Sequence, residues 1–222
     1  MPREIEIKLR VEDMKSLSRA LKRLGAKPVG EGKGRIHEWN VIYDTPQGGL
    51  AKHGQLLRIR TESPGANKSR STTAKTAKPR IVLTFKQPAV KPEKAIGNPA
   101  NYVPSWPHKV REEIEIEVAD AAALGSIFES LGMRGWFRYE KYRTTMKLPT
   151  ALRWAKNLLI ELDETPLGTF VELEGPPDAI DRAAQLLGYR RSDYILKSYL
   201  ALYLEECRRR GQSPRDMVFD HK

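Results

Sequence analysis

The sequence lacks features that would place it among secreted or membrane proteins. It contains one cysteine, Cys207, in 222 residues, so it cannot form an internal disulfide. No apolar run approaches the roughly 18–20 residues that a membrane-spanning helix needs. The first four residues carry no apolar core of a signal peptide. We therefore expect a cytoplasmic protein with no membrane partner, in a compartment where thiols stay reduced.

Acidic residues are scarce in one stretch of the chain. The formal net charge is +11, and residues 63–109 hold nine Lys or Arg residues against one acid, Glu93. This stretch is rich in Ser, Thr, Ala and Pro, and it contains no nucleic-acid recognition motif. We interpret it as solvated loop, so nucleic acid is not the expected partner, although the charge favours an anionic ligand.

Two common signatures of phosphate and metal sites are also missing. The glycine-rich segment 30–35 lacks the Gly-Lys-Ser/Thr ending of a P-loop, and we interpret it as a flexible connection. The four histidines show no metal-ligand spacing.

Hydrophobic periodicity and capping signals predict eight strands and four helices in one domain. The strands are predicted at 3–10, 36–44, 55–61, 80–87, 110–118, 136–148, 156–163 and 168–175, and the helices at 13–24, 120–132, 176–188 and 193–210. Asp13 and Gly25 are the expected cap and stop of the first helix. We assign residues 1–205 to the domain, with basic insertions near 62–79 and 88–109, and residues 206–222 to a C-terminal tail.

The predicted strands carry their charges on one face. Successive side chains of a strand point to opposite faces, so Glu4, Glu6 and Lys8 share one face. Across seven strands these faces contain nine acids and eight bases: Glu4, Glu6, Glu113, Glu115, Glu117, Glu161, Asp163, Glu172, Glu174, and Lys8, Arg58, Arg60, Lys86, Arg111, Lys141, Arg143, Lys147. From the pattern alone, a sheet with one face in water is the first interpretation, and a barrel with a charged lumen is the alternative.

A charged lumen of this kind would suit a triphosphate ligand. Clustered carboxylates bind Mg²⁺ or Mn²⁺, and such ions usually lie between carboxylates and substrate phosphates. Lys and Arg neutralise the remaining phosphate oxygens, Arg through a two-pronged contact. Acids and bases are therefore needed together.

The charged segments resemble the CYTH superfamily, the triphosphate tunnel metalloenzymes. The resemblance begins at Glu4-x-Glu6-x-Lys8 and continues through segments 43–46, 57–60, 84–86, 111–115, 141–143, 161–163, 168–174 and 197–199. It spans the chain except for the two insertions and the tail. It implies an α+β fold, a closed eight-stranded antiparallel β-barrel with flanking helices.

The resemblance also implies roles for single residues. The expected metal-binding acids are Glu4, Glu6, Asp163, Glu172 and Glu174, assisted by Glu113 and Glu115, and the expected triphosphate contacts are Lys8, Arg58, Arg60, Lys86, Arg111, Lys141 and Arg143. Lys8 and Lys197 are the predicted catalytic residues, with Lys197 on the last helix and over the tunnel mouth. For each residue, a structural ion pair inside the barrel is the alternative.

The resemblance implies an Mg²⁺- or Mn²⁺-dependent enzyme that acts on tripolyphosphate, thiamine triphosphate or ATP. Hydrolysis is the leading hypothesis, because the charges account for the triphosphate and no residue is identified that would bind adenine. The alternatives are a class IV adenylate cyclase, which makes cyclic AMP and pyrophosphate, and a non-catalytic polyphosphate- or nucleotide-binding module. A homodimer is expected from the family alone.

Overall fold

Nine strands and five α-helices make up most of the part of the chain that the structure describes. The computed structural model describes residues 2–29, 34–65, 78–89 and 107–220. The strands are β1 (Arg3–Arg10), β2 (Lys27–Pro28), β3 (Ile36–Asp44), β4 (Leu56–Pro64), β5 (Arg80–Pro88), β6 (Lys109–Val118), β7 (Arg134–Lys147), β8 (Leu159–Thr165) and β9 (Gly168–Glu174). The helices are α1 (Met14–Leu24), α2 (Gly49–Lys52), α3 (Ala121–Ser130), α4 (Pro177–Leu186) and α5 (Tyr199–Arg209). The short β2 and α2 were not predicted, because two to four residues show no periodicity.

The strands close into an antiparallel barrel. Their order is β2-β7-β3-β4-β5-β6-β1-β9-β8, and β8 pairs in turn with β7. Since β2 adds only two residues beside β7, eight strands form the closed wall. The predicted fold class, an eight-stranded barrel with flanking helices, is confirmed.

The apolar faces of the strands point outward, beneath the helices. Ile7 and Leu9 of β1 are fully buried in a cluster that includes Leu17 of α1 and Ile180 of α4. On another part of the wall, Phe128 of α3 packs over β4. Burying such a side chain contributes about 1.5–3 kcal/mol. The outer packing therefore holds the barrel and leaves the charged faces to the lumen.

The first helix begins and ends as its sequence predicts. The Asp13 carboxylate accepts a hydrogen bond from the Lys15 backbone N–H, which satisfies one of the free donors at the helix start. Gly25 ends the helix with a φ of 72°, a conformation that favours glycine. This placement brings the apolar face of α1 onto β1.

The C-terminal helix packs on the barrel through Tyr199, and its predicted start was wrong. Residues Arg191–Asp193 form a separate 3₁₀ turn, and α5 begins only after Ser198, whose hydroxyl accepts a hydrogen bond from Ala201 N–H. The helix also crosses the predicted tail boundary at residue 205 and runs to Arg209. Lys197 therefore precedes the helix instead of lying on it.

The two predicted insertions fall largely outside the described residues. β4 continues to Pro64 and β6 begins at Lys109, while segments 66–77 and 90–106 are not described. Residues 30–33 of the glycine-rich segment are also not described. The interpretation of these segments stays a prediction. Within the described ranges, no helix is long and apolar enough to cross a membrane.

Candidate functional site: a charged tunnel

The inward faces of the strands enclose a cavity of about 1000 Å³. The alternation of side chains along each strand sends every second residue into it, as the sequence predicts. The predicted site residues that line it are Glu4, Glu6, Lys8, Arg58, Arg60, Lys86, Arg111, Glu113, Glu115, Lys141, Arg143, Glu172 and Glu174. Its volume is at the upper end of the roughly 300–1000 Å³ that is common for ligand sites.

Neighbouring strands place acids directly opposite one another in the tunnel wall. Glu6 of β1 lies opposite Glu174 of β9, and Glu161 of β8 lies opposite Glu172 of β9. We call these residues, together with Glu4, the acidic strip. Like charges in such cross-strand positions destabilise a sheet unless a counter-charge neutralises them. The acidic strip is therefore a place for cations.

Three carboxyl groups show the effect of this crowding on their protonation. Burial, with the neighbouring Glu161 and Glu4 charges, raises the pKa of Glu174 to about 8. Burial likewise raises the pKa of Glu161 to about 7, supported by Glu172 and Asp163. On the neighbouring strand β6, burial raises the pKa of Glu113 to about 7, supported by Glu4 and Glu115. These groups resist ionisation until positive charge approaches them.

Lysine 8 lies within the acidic strip and is held there by two carboxylates. Its Nζ is 3.0 Å from Glu6 Oε1 and 3.1 Å from Glu172 Oε1. Burial opposes the charge, yet the attraction of Glu172 and Glu6 raises the pKa of Lys8 well above its usual range. Lys8 therefore stays protonated and supplies fixed positive charge.

A set of bases lines the wall formed by β4, β5 and β6. Lys86 Nζ lies 2.6 Å from Glu4 Oε2, and Arg60 Nη2 lies 3.2 Å from Glu115 Oε1. Within the described residues, the buried Nε atoms of Arg58 and Arg111 have no hydrogen-bond partner. An unsatisfied buried donor costs about 1–3 kcal/mol, so these arginines have unused capacity for an anion.

Lys141 and Arg143 form a denser ion-pair network with Asp163 at their centre. Arg143 Nε lies 2.7 Å from Asp163 Oδ1, and Lys141 Nζ lies 2.8 Å from Asp163 Oδ2. Arg143 also contacts Glu161, Glu172 and, at 3.7 Å, Glu38. The network already satisfies Arg143, which favours the structural alternative for this residue more than for Arg58.

Two predicted site residues do not lie on the tunnel surface. Asp163 is fully buried behind Lys141 and accepts a hydrogen bond of 2.8 Å from the Tyr199 hydroxyl. Lys197 Nζ pairs with Glu205 Oε1 at 2.7 Å, with more than half of its side chain exposed. The metal role of Asp163 and the catalytic role of Lys197 stay predictions.

Several residues that the sequence analysis left out of the site do line the tunnel. Glu38 of β3 pairs with Lys141, and although burial opposes ionisation, Lys141 and Arg143 lower its pKa to about 2. Lys109 Nζ lies 2.5 Å from Glu6 Oε1. Tyr139 also lines the tunnel. Lys109 shares the alternation of Arg111 and Glu113, and that signal was available in the sequence.

The donor set in the acidic strip fits a divalent cation. Carboxylate oxygens are the ligands that Mg²⁺ and Mn²⁺ prefer. The Glu174 carboxylate faces the cavity, and no ion pair or hydrogen bond ties it to the other described residues. In the described ranges, no three acidic, His or Cys side chains are already gathered as a metal cluster. Lys8 instead bridges Glu6 and Glu172, and Arg143 bridges Glu161 and Glu172.

Comparison with known proteins places this architecture among related folds. A CYTH domain profile matches residues 2–199. A Vibrio parahaemolyticus protein, provisionally assigned as an adenylate cyclase, superposes with a TM-score of 0.65 at 17% identity, over 90% of this chain and 96% of that chain. The PH1819 protein of Pyrococcus horikoshii gives a TM-score of 0.62 at 19% identity, over 92% and 98%.

A third structure comes from a plant. A Hippeastrum protein, provisionally assigned as an adenylyl cyclase and described as having a dominant triphosphatase activity, gives a TM-score of 0.51 at 21% identity, over 95% of this chain and 97% of that chain. These likenesses show a shared fold. No curated protein matches the sequence significantly.

Proposed function

The chain belongs to the CYTH domain family, and on this premise we propose that its tunnel binds the triphosphate group of a small molecule with divalent metal ions and hydrolyses it. Members of this family are adenylate cyclases or triphosphatases that act on triphosphate substrates with divalent metal ions. Hydrolysis of a terminal phosphoanhydride adds water to the outer phosphorus, breaks the bridging P–O bond and releases orthophosphate.

The observation that supports this proposal most is the unused donor capacity of the basic wall. The Nε groups of Arg58 and Arg111 are buried and unpartnered among the described residues, and both side chains line the cavity. Phosphate oxygens are strong acceptors that match the geometry of a guanidinium group. A triphosphate along this wall would lie against these two arginine side chains and balance their positive charge.

The acidic strip would hold the metal ions. Glu4, Glu6, Glu172 and Glu174 face the cavity, with Glu161 beside them, and Glu113 of β6 shares Lys86 with Glu4. A bound divalent cation would neutralise phosphate charge and lower the pKa of a coordinated water. Because three of these carboxyls have raised pKa values, the acidic strip would lose protons as it takes up a cation.

The protein's own bases would carry out the remaining charge stabilisation. Lys8 stays protonated between Glu6 and Glu172 and supplies positive charge inside the strip. Lys86, whose pKa burial opposes but Glu4 raises, adds a second fixed charge. Such pre-placed charges stabilise the negative charge that shifts onto phosphate oxygens during phosphoryl transfer.

Cyclisation of ATP is the second candidate, because the cavity has room and surface for a base. Ile42, Leu56 and Leu200 belong to one apolar cluster and line the cavity, with Ile42 opposite Arg58 and Leu56 opposite Lys86 in the strand register. In that reaction the ribose 3′-hydroxyl would attack the inner phosphorus and pyrophosphate would leave. The triphosphate contacts would be the same, so the two activities differ in the nucleophile and in the phosphorus that it attacks.

Product analysis tests the proposal. The full chain is incubated with tripolyphosphate, thiamine triphosphate or ATP, each with Mg²⁺ or Mn²⁺, and orthophosphate, pyrophosphate and cyclic AMP are quantified. We expect orthophosphate. Cyclic AMP and pyrophosphate without orthophosphate would establish the cyclase instead, and tight binding with no product under any metal would establish a binding module.

Matched variants separate the tunnel from other effects. We expect Glu4→Gln and Glu6→Gln each to lower metal-dependent turnover by about a hundredfold, since even outer-shell changes at metal sites cost 10–100-fold. Glu12→Gln, an equivalent change at an exposed position outside the tunnel, is the control. Equal activity of Glu6→Gln and Glu12→Gln would remove the acidic strip from the mechanism.

A further inference from the structure

The barrel wall has an uneven edge beside β7. This strand contains 14 residues and starts at Arg134, whereas β8 contains seven and ends at Thr165. Among the described residues, β8 pairs with β7 only from Tyr142 to Met146. The first half of β7 is therefore paired with β3 on one side and extends beyond β8 on the other. An open strand edge leaves backbone donors and acceptors unsatisfied.

The C-terminal segment fills this edge. Met217 N–H donates to Arg138 O at 2.9 Å, and Glu140 N–H donates to Met217 O at 3.1 Å, which makes a parallel bridge between Tyr139 and Met217. The Asp216 carboxylate accepts a hydrogen bond of 2.8 Å from Arg138 N–H. Met217 is almost fully buried. These contacts form the missing piece of wall.

The path of the chain shows that this placement is specific. After α5, Gly211 adopts a φ of 65° and reverses the chain. Gln212 N–H donates to Cys207 O at 2.9 Å, and Arg215 N–H donates to the Tyr203 hydroxyl at 3.2 Å. All of these residues lie beyond residue 199, where the family match ends. The family profile therefore gives no information on these contacts, which the structure alone shows.

The filled edge leads directly to the basic wall of the tunnel. Met217 bonds to the backbone on either side of Tyr139, and the Tyr139 side chain packs in one cluster with Met217 and Phe137. Its hydroxyl lies in the lumen and accepts a hydrogen bond of 2.9 Å from Arg58 Nη1. Thr84 Oγ1 accepts from Arg58 Nη2 at 3.2 Å, so two hydrogen bonds orient the guanidinium group.

We propose that residues 200–220 are a working part of the tunnel: they complete its wall beside Tyr139 and thereby position Arg58 for the triphosphate. Tyr139 and Met217 are positioning residues, which act on the ligand through Arg58. The claim that Arg58 is positioned for a triphosphate rests on the proposed function. The claim that the segment completes the barrel wall does not. Loss of the contacts between Met217 and β7 should leave the fold intact and allow the Arg58 guanidinium group to move more freely.

Hydrogen–deuterium exchange tests the wall without any ligand. Amides of residues 138–140 are compared in the full chain, in Met217→Ala and in a chain that ends at Gly211. We expect the Glu140 amide to exchange at least about tenfold faster in both variants, because its partner oxygen moves or is lost. Met14→Ala, at an exposed methionine, is the matched control. A synthetic peptide of residues 212–220 should restore protection to the shortened chain, and a scrambled peptide should not.

Tripolyphosphate binding with Mn²⁺ tests the consequence for Arg58. We expect Tyr139→Phe and Met217→Ala each to weaken binding by about tenfold, the effect of roughly one lost hydrogen bond. The double variant should be hardly weaker than either single one, because both act through the same guanidinium group. KM should rise in each variant while kcat changes little.

The outcomes separate this inference from the proposed function. If the full chain does not bind tripolyphosphate, the proposed function fails and the exchange experiment still decides the wall. Unchanged exchange of the Glu140 amide in Met217→Ala would contradict the proposal that the C-terminal segment completes the barrel wall. This result decides the question even if the shortened chain does not fold. Fully additive effects of Tyr139→Phe and Met217→Ala on binding would overturn the route through Arg58.

Discussion

At the scale of single residues, carboxyl groups with raised pKa values link metal binding to pH. Burial and neighbouring acids raise the pKa of Glu113 and Glu161 to about 7 and that of Glu174 to about 8. A carboxylate must be deprotonated to bind a metal ion, so each group releases a proton when the cation binds.

We therefore expect the affinity for Mn²⁺ to rise as pH increases from about 6 to about 8.5, because Glu161 and Glu174 lose their protons over this range. Stability without metal should move the other way. Between about pH 4.5 and 8 the folded state holds more of these protons than the unfolded state, so unfolding becomes easier as pH rises. Calorimetric titrations and melting curves at several pH values measure both. A flat Mn²⁺ affinity over this range would contradict the pKa assignments.

Lys197 is the residue for which the sequence and the structure point in different directions. Its pair with Glu205 is exposed, and such pairs contribute about 1 kcal/mol or less, so the lysine can leave it at little cost. If it reaches over the tunnel mouth, Lys197→Ala should lower kcat by about tenfold or more. Glu205→Gln, which removes only the surface partner, should leave kcat unchanged. Equal kinetics of Lys197→Ala and the wild type would leave Lys8 as the single predicted catalytic lysine.

At the scale of elements, the end of β9 depends on a glycine next to the acidic strip. Gly175 follows Glu174, has a φ of 148° and donates its N–H to Ile5 O at 3.0 Å. A Cβ at this position would lie 2.6 Å from the Asn157 carbonyl oxygen, so backbone atoms would have to move.

Gly175→Ala should therefore destabilise the protein by about 2–4 kcal/mol through backbone strain and overlap. Gly188→Ala is the control, since its φ of 94° is also unfavourable but nothing lies within 4 Å of the added Cβ. We expect that variant to lose only about 1–2 kcal/mol. Urea unfolding measures both, and equal losses would mean that the contact with Asn157 is relieved without cost.

The strands also show how far the sequence could predict the site. Alternation in β1 correctly placed Glu4, Glu6 and Lys8 on one face, because the period of two is a property of every extended strand. It could not show how far along the tunnel each side chain lies. That position depends on the stagger between strands, which buried Asp163 behind Lys141 and left Glu174 open to the cavity.

The helical end of the tunnel was the least predictable part. The start of α5 is determined by Ser198, and a shift of a few residues there moved Lys197 off the helix and placed Tyr199 against Asp163. The bridge between Met217 and Tyr139 could not be predicted from the sequence, since one backbone bridge produces no periodicity. Tertiary contacts determine both features.

At the scale of the whole molecule, charge inside the tunnel is close to balance, whereas the chain as a whole carries +11. Among the described residues, ten acids and ten bases line the cavity, so the excess positive charge lies elsewhere. Exposed charges are screened beyond about 8 Å at physiological ionic strength. Affinity for a triphosphate should therefore depend on bound metal much more than on net charge.

Crystallography of the full chain with tripolyphosphate and Mn²⁺ tests the central claim most directly, because anomalous scattering locates the metal independently of the protein. The tunnel account predicts Mn²⁺ peaks within the lumen, coordinated by carboxylates of the acidic strip, with phosphate oxygens against Arg58 and Arg60. Mn²⁺ and tripolyphosphate bound together outside the lumen, with the acidic strip still paired to its lysines, would contradict it.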